Sequence, residues 1–186
     1  MRHTRMPSLR SLLACLSSLV LVTAAAVPAS PAHAGELPEN LATTAQVSAS
    51  SQFNDTYRPQ MAISGAVPSE FQQDGGDWAV RGTQEGWFEL RWSQPVLAAQ
   101  IIYYARMTRP LLECFKDYAV YLNGEKKPAV CGTLEQRRGP QAINFARQQV
   151  TKIRIEFLSS YPNPPNPGAA AIAVYAAPLS AAKLAE

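Results

Sequence analysis

The 186-residue chain contains two histidines, His3 and His33, and both fall within the first 34 residues. Everything beyond residue 34 therefore lacks an imidazole. That excludes Ser-His-Asp and Cys-His nucleophilic catalysis there, because no group is left to act as the base. It also excludes a His-ligated zinc site. Three cysteines remain to be placed. Cys15 lies in the early apolar run, while Cys114 and Cys131 form an even pair in the body of the chain. In an oxidising compartment such a pair most simply forms one disulfide, and a loop of about 18 residues gives roughly 3 kcal/mol. Two thiols that never meet are the alternative reading of the same pair.

The compartment follows from the N-terminus. Arg2, Arg5 and Arg10 supply a positive start, and Ser11 to Val27 is an apolar run rich in Leu, Val and Ala. Pro28 and Pro31 then break any helix, and Ala32-His33-Ala34 offers the small-x-small pattern of a cleavage site. Residues 1–34 thus read as a secretory signal cut after Ala34, since the run is shorter than the roughly 20 apolar residues of a membrane span. The whole chain has 17 basic and 14 acidic residues and a formal charge of +3. All of that excess belongs to the three early arginines, and residues 35–186 balance at 14 against 14. A nucleic-acid partner loses its electrostatic basis in the cleaved protein.

The remaining chain is long enough for one domain with a sizeable core. Residues 35–39 read as a linker, 40–177 as the domain and 178–186 as a tail. Short apolar alternations separated by turn residues predict an all-β sandwich. Trp87 to Trp92 places Phe88, Leu90 and Trp92 on one face and Glu89 and Arg91 on the other. Ala99–Tyr104 is a buried-type run. Tyr118, Val120 and Leu122 alternate into Asn123-Gly124, a dipeptide suited to a tight hairpin turn. Ile143 and Phe145 alternate, Val150–Leu158 sets Ile153, Ile155 and Phe157 against Lys152, Arg154 and Glu156, and Ile172 and Val174 make the last strand. No long stretch keeps a helical period, so helices are expected to be few and short. The connections between these strands are long and polar, and Tyr57, Trp78 and Arg81 punctuate two of them. A third, Tyr161 to Gly168, is stiffened by four prolines. Long ordered loops on a rigid sandwich are where binding commonly resides.

Several segments in order resemble the discoidin, or coagulation factor 5/8 type C, domains of the galactose-binding-like superfamily, which also holds the family-32 carbohydrate-binding modules. They are Asn40-Leu41-Ala42, Val47 to Ser51, Ala62 to Gly65, Asp77-Trp78-Ala79, Trp87 to Leu90 and Pro95-Val96. Ile101 to Arg106, Tyr118 to Gly124, Lys152 to Ile155 and Ile172 to Tyr175 continue the series. The similarity covers about 40 to 177. It implies an eight-stranded jelly-roll β-sandwich without catalytic machinery, binding its ligand through loops at one end.

On that topology the loops carrying Tyr57, Arg58, Trp78, Arg81, Arg106, Tyr161 and Asn163 converge. Tyr57 and Tyr161 become stacking platforms for the C–H face of a sugar, and Arg58, Arg81, Arg106 and Asn163 its hydrogen-bonding partners. A wall position for Trp78 and an ion pair of Arg106 with Asp77 are the competing structural roles. The resemblance further implies a glycan or cell-surface ligand. A lipid- or protein-surface adhesion module is the rival, with Met107 and Leu111-Leu112 as its apolar spikes. A carboxylate-pair glycosidase has acids available, but a sandwich of this size without a cleft does not favour one. Family members often hold a structural calcium with two carboxylates. Ser64 and Ala171 stand at those positions here, which leaves Asp55, Asp74 or backbone carbonyls as oxygen donors. No cofactor is expected.

Overall fold

The computed structural model describes residues 38–66, 76–107, 112–162 and 166–184, with Met107 and Leu112 described by backbone alone. The signal segment, most of the linker, Leu111, Asp74 and Asn163 lie outside them. The strands are β1 (Gln46–Ala49), β2 (Trp78–Ala79), β3 (Gly86–Met107), β4 (Leu112–Glu113), β5 (Asp117–Leu122), β6 (Val130–Thr133), β7 (Pro140–Phe157) and β8 (Gly168–Tyr175). The pairings are antiparallel throughout.

Two long strands organise everything else. The segments read separately as 87–92 and 99–104 are one strand, β3, and those read as 143–145 and 150–158 are one strand, β7. β3 and β7 pair along their lengths, with register shifts between Arg91 and Val96 and between Ala98 and Gln100. Such bulges bend and twist a strand, so each long strand serves two layers. The first half of β3 lies between β1 and the second half of β7, which continues to β5 and β6. The second half of β3 lies between the first half of β7 and β8, which continues to β2. The result is the expected all-β galactose-binding-like sandwich, an open antiparallel arrangement.

The core lies between the layers and follows the period-2 alternation of the strands. Phe88, Leu90, Ile101, Tyr103, Val120, Ile143, Ile153, Ile155, Phe157, Ile172 and Val174 are buried in one cluster. Phe115 and Phe157 stack at 4.0 Å, and Trp78 packs on Phe88 at 5.0 Å between centroids. Gly168 has a steric reason to be glycine, because a Cβ there would collide with the carbonyl oxygen of Trp78. That close approach is how β2 docks on β8.

Helical structure among the described residues is confined to short 3-10 turns and a four-residue helix, Ala181–Leu184. The tail is not free: Leu179 and Leu184 pack with Tyr104 on Ile102, Ala173 and Tyr175. The Leu179 amide also donates to Gln100 Oε1 at 3.0 Å. Asn123 and Gly124 both have positive φ, 54° and 79°, as the turn dipeptide requires. The connection is nevertheless wider than a two-residue hairpin, since β6 begins only at Val130.

Candidate functional site

Hydrogen bonds link described parts of three of the expected loops near the start of β2. Ser51 is a hub: its carbonyl accepts from Trp78 Nε1 at 2.9 Å, and its hydroxyl accepts from the Arg81 amide at 3.1 Å. Phe53 donates its amide to the Ala79 carbonyl at 2.8 Å. Gly82 donates to Asn166 Oδ1, Val80 to the Pro167 carbonyl, and Ser160 contacts Gln84. These bonds tie residues 51–57, 78–84 and 160–167 together.

Tyr57 sits on a 3-10 turn, Asp55–Tyr57, whose start is capped by the Asn54 side chain accepting from the Thr56 amide at 2.9 Å. Its ring meets Phe53 edge to face, with centroids 5.8 Å apart at 67°. Phe53 is 39% exposed and Tyr57 is half-buried. Behind them lies Arg106, whose guanidinium is 4.7 Å from the Tyr57 centroid. Arg106 Nε lies 2.8 Å from Asp77 Oδ2, its Nη1 pairs with Glu113, and it also donates to the Asn166 carbonyl. Arg106 and Glu113 are buried. Burial raises the Asp77 pKa above the usual carboxylate value, and the Arg106 charge offsets only part of this.

This geometry redistributes the roles expected from the sequence. Tyr57 occupies the surface with Phe53, an aromatic the sequence reading passed over. Arg58 and Arg81 are exposed at the same end. Trp78, however, is fully buried in the aromatic core, its indole N–H already satisfied, so it has no surface to offer a ligand. Arg106 is a buried brace, paired with Asp77 as its structural reading held and with Glu113 besides. Tyr161 is half-buried, donates to the Leu134 carbonyl at 2.8 Å and lies 6.0 Å below Lys116 Nζ. It packs on the core rather than beside Tyr57. Asn163 lies outside the described residues. Phe53 carried one usable signal: an apolar ring in a polar loop with no alternating neighbours to make it a strand residue.

The disulfide expectation is overturned. Cys114 and Cys131 are both free thiols, one buried and the other exposed. Cys114 is buried, its Sγ facing the carbonyls of Phe115 and Glu135, and burial pushes its pKa up to about 11. Cys131 is exposed on β6 opposite Ala119.

The described residues around the two expected calcium positions offer few free oxygen donors. Ala171 has no side-chain oxygen and lines, with Gly65 and Asn40, a cleft of only about 20 Å³. The Ser64 hydroxyl accepts from the Ala66 amide, and Asn40 Oδ1 is taken by the amides of Ala42 and Val174. Asp55 is engaged by Gln52. Among the described residues no three His, Cys, Asp or Glu side chains gather, and Ser64, Ala171, Asn40 and Asp55 supply no free carboxylate pair for a calcium ion. No helix among them is long and apolar enough to cross a membrane.

A second concave region lies on the outer face of the layer β1–β3–β7–β5. Trp87, Glu89 and Arg91 of β3 stand opposite Glu156, Arg154 and Lys152 of β7, with Tyr121 of β5 alongside Arg154. They line a groove of about 650 Å³. Arg154 lies 4.2 Å from the Trp87 ring and is paired with Glu156 at 3.1 Å and Glu89 at 3.6 Å. Arg91 pairs with Glu89 at 2.7 Å. The sequence reading recognised these residues only as the polar side of two strands.

The fold is that of the galactose-binding-like sandwiches seen in family 32 carbohydrate-binding modules and related lectin domains. The chain belongs to a family defined as a domain of unknown function (DUF7402), whose model matches residues 40–175. Similar solved structures include a family 32 module of Clostridium perfringens NanJ in complex with galactose, at 14% identity and a TM-score of 0.59. It covers 73% of this chain and 96% of that one. A Streptococcus pneumoniae fucose-binding module has 17% identity and a TM-score of 0.59, covering 75% and 96%. A chitosan-binding module from a Paenibacillus sp. IK-5 chitosanase/glucanase has 16% identity and a TM-score of 0.54, covering 74% and 98%. No curated protein matches the chain.

Proposed function

We propose that this domain is a non-catalytic carbohydrate-binding module that takes a sugar on the loop end of the sandwich. The observation that carries the reading is the exposed Phe53–Tyr57 pair held from behind by the buried Arg106–Asp77–Glu113 cluster. An aromatic surface that keeps its conformation loses little entropy when a sugar ring stacks on it. Arg58 and Arg81, exposed at the same end, supply hydrogen bonds to hydroxyls. The similar sandwiches from C. perfringens and S. pneumoniae, which bind galactose and fucose, support the same reading. The N-terminal segment, read as a secretory signal, makes the working location extracytoplasmic. A glycan array probed with the protein tests this. Binding to at least one glycan, lost in Phe53→Ala and in Tyr57→Ala with the fold retained, is the expected outcome. Silence on every glycan with binding to liposomes would overturn it in favour of a surface-adhesion module.

A further inference from the structure

We infer that the outer sheet groove is a second binding site, for an oligosaccharide that carries carboxylates. The groove is roofless but well defined, and its volume of about 650 Å³ is of the size that holds small ligands. A second hollow of about 500 Å³, lined by Thr83, Glu85, Gly86 and Leu158, shares Trp87 and Glu156 with it. The two together make a track that runs along the sheet, with Trp87 at its middle.

The chemistry of the lining selects the ligand. Trp87 and Tyr121 are partly exposed aromatics on strands that flank β7. Two strand spacings across and two residues along separate their backbones by about 12 Å, a span of two to three sugar units. Trp87 is pinned by Arg154, so its apolar surface is ordered before any ligand arrives. Between the rings, Glu89, Glu156 and the guanidiniums of Arg91 and Arg154 form a continuous ion-paired floor. Glu156 and the two guanidiniums offer an acceptor and planar donors to sugar hydroxyls, while the nearly buried Glu89 holds the guanidiniums in place.

The charge at one end is different. Lys126, Lys152 and Glu125 line the groove beside the Asn123-Gly124 turn, two ammonium groups against one carboxylate, and the two lysines form no ion pair among the described residues. Lys152 Nζ projects over Gly124, where a Cβ would lie only 3.1 Å from it. Two unpaired ammonium groups at the end of an aromatic track fit a carboxylate-bearing sugar better than a neutral one.

The site stands apart from Phe53 and Tyr57, so the experiment separates the two. The full chain, labelled with 15N, is titrated with a galacturonic acid tetrasaccharide and, separately, with the neutral maltotetraose. Expected are shifts of the Trp87 indole N–H and the Tyr121 and Gly124 amides with the acidic probe, weakened by added salt. Lys126→Ala/Lys152→Ala, two surface changes compatible with folding, should raise the Kd at least tenfold. Shifts confined to residues 53–58 would overturn this inference while supporting the loop-end reading. Absence of shifts at Trp87, equal binding of maltotetraose in the groove, or an unchanged Kd in the double variant would overturn it as well.

Discussion

Arg106 and Arg154 make nearly the same contacts with opposite consequences. Each guanidinium lies over an aromatic ring, Tyr57 at 4.7 Å and Trp87 at 4.2 Å. Each is flanked by two carboxylates, Asp77 and Glu113 for one, Glu89 and Glu156 for the other. The difference is water. The Arg106 side chain is 6% exposed and that of Arg154 is 31% exposed. In the interior the cluster is a brace that fixes where the Phe53–Tyr57 surface stands. On the open sheet face the cluster is itself the surface. The pattern of residues therefore does not say whether an arginine supports a site or forms one; burial does.

Four measurements break or sharpen that contrast. The largest effect concerns the cysteines on the two sides of it. In a Cys15→Ser background, Cys131 should react with a thiol reagent in the native protein, whereas Cys114 should react only through unfolding. That protection amounts to about 5 kcal/mol or more. Two thiols should appear in denaturant without reductant; none would restore the disulfide. Next, Arg106→Ala leaves two carboxylates uncompensated in the interior and should cost about 3–5 kcal/mol by urea denaturation. Arg154→Ala removes a half-exposed pair and should cost no more than about 1 kcal/mol, while changing Trp87 fluorescence. Equal losses in the two variants would erase the distinction between brace and surface.

The smallest effect is one of pH. Asp77 has its pKa raised by burial, so its contribution to stability falls as pH rises from the ordinary carboxylate value through the raised one. Asp117 is half-buried and accepts from the Ser159 and Thr133 hydroxyls at 2.6 and 2.9 Å, which lowers its pKa. Its contribution is present above the ordinary value and is lost as pH falls. Denaturation midpoints between pH 3 and 7 should therefore show Asp77→Asn removing a downward slope with pH and Asp117→Asn removing an upward one. Slopes of the same sign would show that the two carboxylates sense the same environment.

The strands were readable in the sequence where alternation ran long enough. Phe88, Leu90, Ile153, Ile155 and Phe157 all face the core as their period-2 spacing requires. The two-residue strands β2 and β4 were not, because two residues carry no period. The fusion of two segments into β3 was hidden by Gln94 and Pro95, which resemble a turn and instead lie at the bulge that lets one strand serve both layers. At the loop end the sequence reading named Tyr57 and not its neighbour Phe53, and it named Trp78 as a ligand contact with a wall position as the alternative, although Trp78 is interior. A loop aromatic has no alternating neighbours, so nothing local says which way it points.

Composition alone determined that residues 35–186 have no histidine and no net charge, because those are sums over residue types. Alternation determined the all-β class, because each strand must bury one face. Tertiary structure alone decided that Cys114 is buried and Cys131 exposed, that Arg106 is interior, and that Trp87, Tyr121 and Arg154 share one concave face. Those are facts of register and layer packing between segments many residues apart, and no local sequence pattern encodes them.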